Sequence, residues 1–202
     1  SWTELEFQRG EDTPYGGFLL EPSLGRVESI SLVVAPHGGP HSLSATTWQP
    51  RAISLLLNSG FAVFFVNYHG SLGYGDEFVR SLSGRCGDLD VKDVHHAVEE
   101  ILSIHHHFDR SKVCLYGGSH GGFIASHLIG QYPSFYRSCV VRNPALNVLA
   151  KFDISDIPDL AVVEATGRMP DWTKTLNEGQ RKKMFDASPI AHVEKVVAPY
   201  LI

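Results

Sequence analysis

Short runs of consecutive apolar residues, separated by helical patterns and turns, constrain the fold of this chain more than any other feature of its sequence. Four such runs are rich in β-branched and aromatic residues: Ser29–Ala35, Phe61–Val66, Val113–Tyr116 and Ser138–Arg142. Because apolar and polar residues do not alternate in them, both faces of each strand are expected to be buried, which is typical of a parallel sheet. The sequence therefore predicts an α/β fold, a mostly parallel sheet with helices on both faces.

The segments between these runs supply the helices and one edge of the sheet. Helices are predicted within Pro50–Ser59, after a cap at Asp88 or Asp90, within Phe123–Tyr132 and, in a more polar form, near Thr173–Phe185. Trp2–Gln8 and Tyr15–Leu20 are expected to form an antiparallel edge hairpin, and residues 153–193 an insertion above the sheet. Val196–Ile202 resembles the first half of another buried strand, so residues 1–202 are expected to be one domain, truncated before its last strands.

Composition and charge exclude several classes of protein. The 202 residues are 43% hydrophobic and 19% charged, which fits one globular domain rather than a disordered chain. The net charge of −5, with histidine neutral, offers no basic surface for nucleic acid or for an anionic membrane. No apolar run reaches the roughly 20 residues that span a bilayer. We therefore expect neither a nucleic acid nor a membrane as a partner.

The start of the chain and its cysteines indicate where the protein works. The residues after Ser1 lack a basic start and an apolar segment, so they do not form a signal peptide, and without an initiating methionine the chain is expected to be an excerpt or a processed piece. Cys86, Cys114 and Cys139 are widely spaced and odd in number, unlike a disulfide framework or a zinc site. They are expected to be small buried hydrophobes in a reducing, cytoplasmic setting.

One glycine-rich turn carries a candidate nucleophile. Gly117-Gly118-Ser119-His120-Gly121 matches the pattern G-x-S-x-G and lies between a predicted strand and a predicted helix. Such a sharp reversal strains the serine backbone, lifts its hydroxyl above the sheet and requires glycine two residues to either side. The N–H of His120, at the start of the helix, would then point at a developing oxyanion. The alternative is a glycine-rich turn that contains an incidental serine.

A second glycine motif follows the first predicted strand. His37-Gly38-Gly39-Pro40 stands where this arrangement places its other oxyanion donor, and we favour the N–H of Gly39 for that role. Taken alone, the motif could be a Gly-Pro turn that ends a strand. Since both motifs lie at carboxyl ends of predicted parallel strands, their joint occurrence favours a site for nucleophilic catalysis.

Six segments of the sequence resemble a known family. The segments that carry the resemblance, in chain order, are APHGGPHS, VNYHGSLGYGDEF, DLDVKDVHHAVEEI, GGSHGGFIASHLIGQYP, VRNPALN and DIPDLAVVEA. Together they resemble the acylaminoacyl-peptidases of the prolyl oligopeptidase family of serine peptidases, from about Val33 to Ile202. The resemblance implies an α/β-hydrolase fold, release of N-acylated amino acids from short peptides, cytoplasmic location, no cofactor and a homo-oligomer. It also implies a β-propeller encoded before this segment.

The resemblance assigns roles residue by residue. Ser119 matches the family's nucleophile, and the backbone N–H groups of Gly39 and His120 match its oxyanion donors. Arg142 ends the fourth predicted strand near the nucleophile, where it would contact substrate or, alternatively, form a structural ion pair. One departure is visible, because the family usually has arginine at the position of His69, and a loop anchored by that arginine would be looser here.

The partners that should serve Ser119 are not expected within the chain. The resemblance implies that the acid and the histidine of the triad follow the strand that begins like Val196–Ile202. Local substitutes are interpreted as structural: His192 precedes a strand, His37 holds a loop, and the side chain of His120 points away from the site. The aspartates of the insertion are expected to solvate a loop or cap a helix; they are Asp153, Asp156 and Asp159.

Three functions follow as hypotheses. The leading one is a serine hydrolase that is nearly inactive as this segment alone, because serine keeps its proton without a base. The alternatives are a non-catalytic module that needs a partner chain, and an esterase of the same fold. No metal site is expected, since the histidines of Ser103–Phe108 read as a polar helix end, and Gly70–Gly75 does not match a nucleotide-binding loop.

Overall fold

The computed structural model describes residues 1–23 and 29–202, whose strands form a seven-stranded sheet. The strands are β1 (Trp2–Phe7), β2 (Tyr15–Leu20), β3 (Ile30–Val34), β4 (Ala62–Asn67), β5 (Phe108–Gly118), β6 (Ser138–Arg142) and β7 (Tyr200–Leu201). Their spatial order is β1-β2-β4-β3-β5-β6-β7. β2 pairs antiparallel with β1 and with β4, and all other pairs are parallel. The predicted edge hairpin and mostly parallel sheet are confirmed.

Helices cover both faces of this sheet. They are α1 (Arg51–Asn58), α2 (Asp76–Arg80), α3 (Leu89–Ile104), α4 (His120–Gln131), α5 (Val148–Ile154), α6 (Pro158–Thr166) and α7 (Glu178–Asp186), followed by a 3-10 helix over Pro189–Lys195. Successive residues of one strand enter different cores: Leu32 packs with α3 and α4, and Val33 packs with Ile53 of α1. Burial on both faces explains why the central strands carry continuous apolar runs. Among the described residues, no helix is long and apolar enough to cross a bilayer.

Several elements differ in extent from the prediction. β5 begins at Phe108 rather than Val113, because Phe108 pairs with Ile30 of β3 before the register shifts to the pairs that begin at Leu32 and Val113. The short helix α2 was not predicted, and α7 begins at Glu178, where Asn177 and Gln180 form a capping box. β7 pairs with β6 as expected, but Leu201 is 63% exposed because the strand has a described neighbour on one side alone.

The parallel strands bring three loops together. Because β3, β5 and β6 run in the same direction, their carboxyl ends lie at one edge of the sheet. The segment His37–Pro40 follows β3, the turn at Ser119 follows β5, and Asn143 follows β6. The two glycine motifs that the sequence singled out and the loop after β6 therefore meet above this edge.

Candidate active site

Ser119 sits in a strained turn between β5 and α4. Its backbone has φ 53° and ψ −122°, a conformation that side-chain-bearing residues rarely adopt. Two glycines make the turn sterically feasible: a Cβ on Gly117 would lie 2.3 Å from the carbonyl oxygen of Gly121, and one on Gly121 would lie 2.1 Å from that of Pro36. The turn is tied to the neighbouring strand by the Ser119 N–H, which donates to the Arg142 carbonyl at 3.0 Å. Strain held in this way is typical of a functional position.

The backbone N–H and the side chain of His120 have different surroundings. As the first residue of α4, its N–H has no acceptor within the helix and is available above the sheet edge. Its imidazole is buried and turns toward α3, where Nε2 donates to Asp90 Oδ2 at 2.8 Å. The other Asp90 oxygen accepts from the N–H groups of Gly87 at 2.8 Å and Val91 at 3.0 Å. Asp90 thus anchors the start of α3 and the start of α4 together.

The loop that carries Gly39 is held by a turn after β4. His37 Nε2 lies 2.7 Å from the Ser71 hydroxyl, and the Tyr68 hydroxyl donates to the His37 carbonyl at 2.9 Å. His41 Nδ1 donates to the Gly70 carbonyl at 2.8 Å. Burial lowers the pKa of His37 to about 4, so this ring is neutral at physiological pH. His37 therefore acts as a structural contact of the loop, in the place where the sequence put it.

One cavity joins the three residues that the sequence predicted. Gly39, Ser119 and His120 line a space of about 250 Å³. Gly39 has φ 130°, a conformation that suits glycine. Pocket walls come from the loop after β6 and from α5 and α6, and they are Asn143, Pro144, Ala145, Lys151, Ile157 and Leu160. The cavity therefore brings together the predicted nucleophile and the two residues predicted to be oxyanion donors.

The eleven histidines all lie in the described residues, and no ring nitrogen hydrogen-bonds to the Ser119 hydroxyl. Several rings have other partners within the fold, among them His69 with Asp93, His95 with Tyr136, His96 with Tyr15, His107 with Glu21 and His127 with Ala187. His192 packs against the ring of His127, with centroids 5.5 Å apart. None of the described histidines is therefore in place to serve Ser119 as a general base.

The sequence reasoning missed a set of ionisable groups beneath the nucleophile. Beyond Asp90 and His120, Glu164 of α6 places Oε1 3.9 Å from His120 Nδ1, and its Oε2 accepts from Lys151 Nζ of α5 at 3.1 Å. Glu164 is buried, and Oε1 has no hydrogen-bond partner among the described residues. An acidic residue inside the apolar segment DLAVVEA was the one signal available in the sequence.

Cys86 lies beside this set, and one ligand atom each from Cys86, Asp90 and His120 fall within 4.8 Å of one another. A metal would need the thiolate, but burial raises the pKa of the Cys86 thiol well above its ordinary value. The Asp90 carboxylate is already occupied by three hydrogen bonds. The arrangement therefore fits a hydrogen-bonded pair with a buried cysteine better than it fits a metal centre.

Arg142 lies on the other side of the turn. Its side chain runs along Gly118 and lines a separate cavity with His37 and Arg51, not the one that Ser119 lines. Within residues 1–23 and 29–202, no carboxylate comes within the 4.0 Å of an ion pair to Arg142. A substrate contact by Arg142 stays a prediction, and the alternative structural ion pair is not formed by the described residues.

His69 anchors its loop at the position where the resemblance leads us to expect arginine. Its N–H and its ring Nδ1 donate to Asp93 Oδ2 at 2.9 and 2.7 Å, and the ring stacks on Phe78. The guanidinium of Arg9 lies 3.3 Å from the other Asp93 oxygen. The loop is therefore tied to α3 by two hydrogen bonds, and a cation from the edge hairpin compensates part of the buried charge.

Comparison with known proteins identifies the family of this chain and several of its relatives. Residues 48–202 match the prolyl oligopeptidase family. The human acylamino-acid-releasing enzyme is 44% identical over 206 residues, which cover 95% of this chain and 27% of the human protein. The Arabidopsis thaliana enzyme of the same name is 38% identical over 84% of this chain and 22% of its own length. The chain thus spans about a quarter of the length of the curated relatives that it matches.

A solved structure supports the fold. An acylaminoacyl peptidase in complex with Z-Gly-Gly-Phe-chloromethyl ketone superposes with a TM-score of 0.85 at 21% identity, covering 98% of this chain and 31% of that one. At that identity the likeness concerns the α/β-hydrolase fold alone. The match over residues 48–202, together with a shared fold, shows that this chain belongs to the prolyl oligopeptidase family.

Proposed function

We propose that the protein carrying this segment is a serine peptidase of the acylaminoacyl-peptidase type. It would release an N-acylated, typically N-acetylated, amino acid from the blocked N-terminus of a short peptide. The observation that carries the proposal is that Ser119, in a strained turn, shares one cavity with Gly39 and His120. The names of the human and Arabidopsis relatives support the substrate class.

The reaction would begin with attack of the Ser119 hydroxyl on the carbonyl carbon of the acylated residue. As the new C–O bond forms, the carbonyl π electrons move to oxygen, and the N–H groups of Gly39 and His120 stabilise that oxyanion. A histidine base takes the hydroxyl proton. When the oxyanion re-forms the carbonyl, the C–N bond breaks and the histidine gives its proton to the departing amine. Water then hydrolyses the acyl-enzyme by the same sequence of steps and releases the N-acylated amino acid.

We infer that the histidine and its acid come from residues outside this segment. No ring of the eleven histidines hydrogen-bonds to Ser119, and the relatives are about four times longer than the aligned part. Without a base the serine stays protonated at neutral pH, and only the modest catalysis of the oxyanion donors remains. The 202 residues by themselves are therefore expected to be nearly inactive.

The same observation favours a second candidate function. A chain with a nucleophile but no base could be a non-catalytic module that works only when a partner chain covers the site. The exposed edge at β7, where Leu201 is 63% exposed, is a surface on which another strand could pair. The two candidates differ in where the base resides: in the same polypeptide for the peptidase, in another one for the module.

Location and assembly complete the proposal. All three cysteines are free, two of them buried, which supports a reducing, cytoplasmic setting, and localisation of a fluorescent fusion would test it. We also expect a homo-oligomer of the full-length protein, which light scattering would detect. Neither nucleic acid nor a membrane is proposed as a partner, and no cofactor is required by the steps above.

The experiment compares the full-length protein with its Ser119→Ala variant on three substrates: an N-acetyl-alanyl amide, the unblocked alanyl amide and a simple ester. The peptidase proposal predicts cleavage of the acetylated amide and little cleavage of the unblocked one. The Ser119→Ala variant should cleave neither amide. Cleavage of the ester alone would indicate an esterase of the same fold. No cleavage until another chain is added would establish the module.

A further inference from the structure

The cavity beside Ser119 contains a positive charge that the proposed reaction does not use. Lys151, on α5, lines this cavity, and its side chain is 21% exposed. Its ammonium donates to Glu164 Oε2 at 3.1 Å. Glu164 is 6% exposed and belongs to α6, so the pair links the two helices that form one wall of the cavity. A buried carboxylate thus holds the lysine head at the cavity wall.

Most of the other wall residues of the cavity are apolar, namely Pro144, Ala145, Ile157 and Leu160, although Asn143 among them is polar. Lys151 is the one lysine or arginine among the described residues that line the cavity. A cation in apolar surroundings interacts more strongly with a ligand than it would in water.

The ammonium has donors to spare. A lysine head carries three N–H groups, and within the described part of the chain Glu164 is its one hydrogen-bond acceptor. Glu164 itself is buried, and its Oε1 lies 3.9 Å from Nδ1 of the buried His120 ring. The remaining donors are therefore available to an acceptor that enters the cavity.

The cavity adjoins both the nucleophile and the proposed oxyanion donors, so the side chain of the acylated residue under attack would enter it. We propose that Lys151 determines specificity there, by favouring an N-acylated residue whose side chain ends in a carboxylate or carboxamide oxygen over an equally long apolar one. This inference rests on the proposed function and deepens it. A charge-assisted hydrogen bond of this kind changes the selectivity by about tenfold.

The test measures kcat/KM of the full-length protein for N-acetyl-glutamyl, N-acetyl-glutaminyl and N-acetyl-methionyl p-nitroanilides, whose side chains are similar in length. In Lys151→Met, which keeps the stem and removes the charge, the ratio of glutamyl to methionyl cleavage is expected to fall by about tenfold. Lys174→Met is the matched control. Lys174 is exposed and paired with Asp171, so its loss should leave the ratio unchanged.

Glu164→Gln separates selection from a structural role. It removes the partner charge but leaves the ammonium in place, so the ratio should stay the same or rise. If the ion pair served only to join α5 to α6, both Lys151→Met and Glu164→Gln would lower cleavage of all three substrates alike, and the inference would be overturned. Failure of the wild-type protein to cleave any of them would refute the proposed function itself, and this inference with it.

Discussion

Replacing Asp90 by alanine should destabilise the protein more than replacing any other acidic residue at the start of α3. The Asp90 carboxylate is fully buried and accepts three hydrogen bonds, from Gly87 N–H at 2.8 Å, Val91 N–H at 3.0 Å and His120 Nε2 at 2.8 Å. Each buried donor left without an acceptor costs about 1–3 kcal/mol. Allowing for partial relaxation, we expect the free energy of unfolding to fall by about 3–5 kcal/mol, as for other broken buried pairs.

A neighbour provides the matched control. Asp88 is two residues earlier, and its side chain is 54% exposed and pairs with Lys92 on the surface. Such an exposed pair contributes only about 0–1 kcal/mol, so Asp88→Ala should be nearly neutral. Asp90→Asn should fall between the two, because its oxygen can still accept the backbone donors while its amide donates to the other tautomer of His120.

Urea unfolding followed by far-ultraviolet circular dichroism is the suitable assay. The three tryptophans are exposed, with Trp48 at 96%, so their fluorescence would report the unfolding of the core poorly. The slope of the transition should be unchanged, since the variants alter stability and not the surface exposed on unfolding. Equal losses of stability in Asp90→Ala and Asp88→Ala would refute the reasoning, because they would mean that the three hydrogen bonds to Asp90 contribute nothing.

Three further predictions concern the turn and the core. Gly121→Ala would place a Cβ 2.1 Å from the Pro36 carbonyl oxygen and should lower the free energy of unfolding in urea by about 3 kcal/mol or more. The control Gly179→Ala, on the surface of α7, should change it by less than about 1 kcal/mol. Similar losses in the two variants would contradict the packing argument. Ser119→Gly should be more stable than Ser119→Ala by about 1 kcal/mol, and so unfold at higher urea, because glycine adopts φ 53° without strain. An equal or lower urea midpoint would argue against stored strain. Burial lowers the pKa of His127 from 6.5 to about 4, so between these pH values the unfolded chain binds a proton that the folded one excludes. The free energy of unfolding should therefore fall as the pH drops from 6.5 toward 4, by up to about 3 kcal/mol from this residue. His127→Gln should flatten the pH dependence of the unfolding free energy in that window, and an unchanged slope would show that the ring is protonated in the fold.

The elements that the sequence predicted well are local. A strand buried on both faces, a turn that needs glycine at two positions and a helix that follows it each leave a pattern within about ten residues, as around Ser119. The same applies to the loop at Gly39, since two glycines after a buried strand already indicate a close backbone approach. For that reason the cavity that these residues share could be anticipated from the order of the motifs.

The ion pairs beneath the turn could not be predicted in this way. Asp90, His120, Lys151 and Glu164 come from four different helices, and their contacts depend on how α3, α4, α5 and α6 pack. Nothing near Asp90 in the sequence distinguishes it from Asp88 as a helix cap, yet the fold buries one and exposes the other. The first half of β5 was missed for a similar reason, because the pairing of Phe108 with Ile30 of β3, which begins the strand, is a tertiary contact.

The central claim is that Ser119 is a nucleophile whose base lies outside these 202 residues. The most direct test is the intact mass of the protein before and after a fluorophosphonate probe, for the full-length protein, its Ser119→Ala variant and the 202-residue segment. Our account predicts one adduct on the full-length protein, none on the variant and none on the segment. A full-length protein that takes no adduct, or one whose adduct survives in Ser119→Ala, would contradict it.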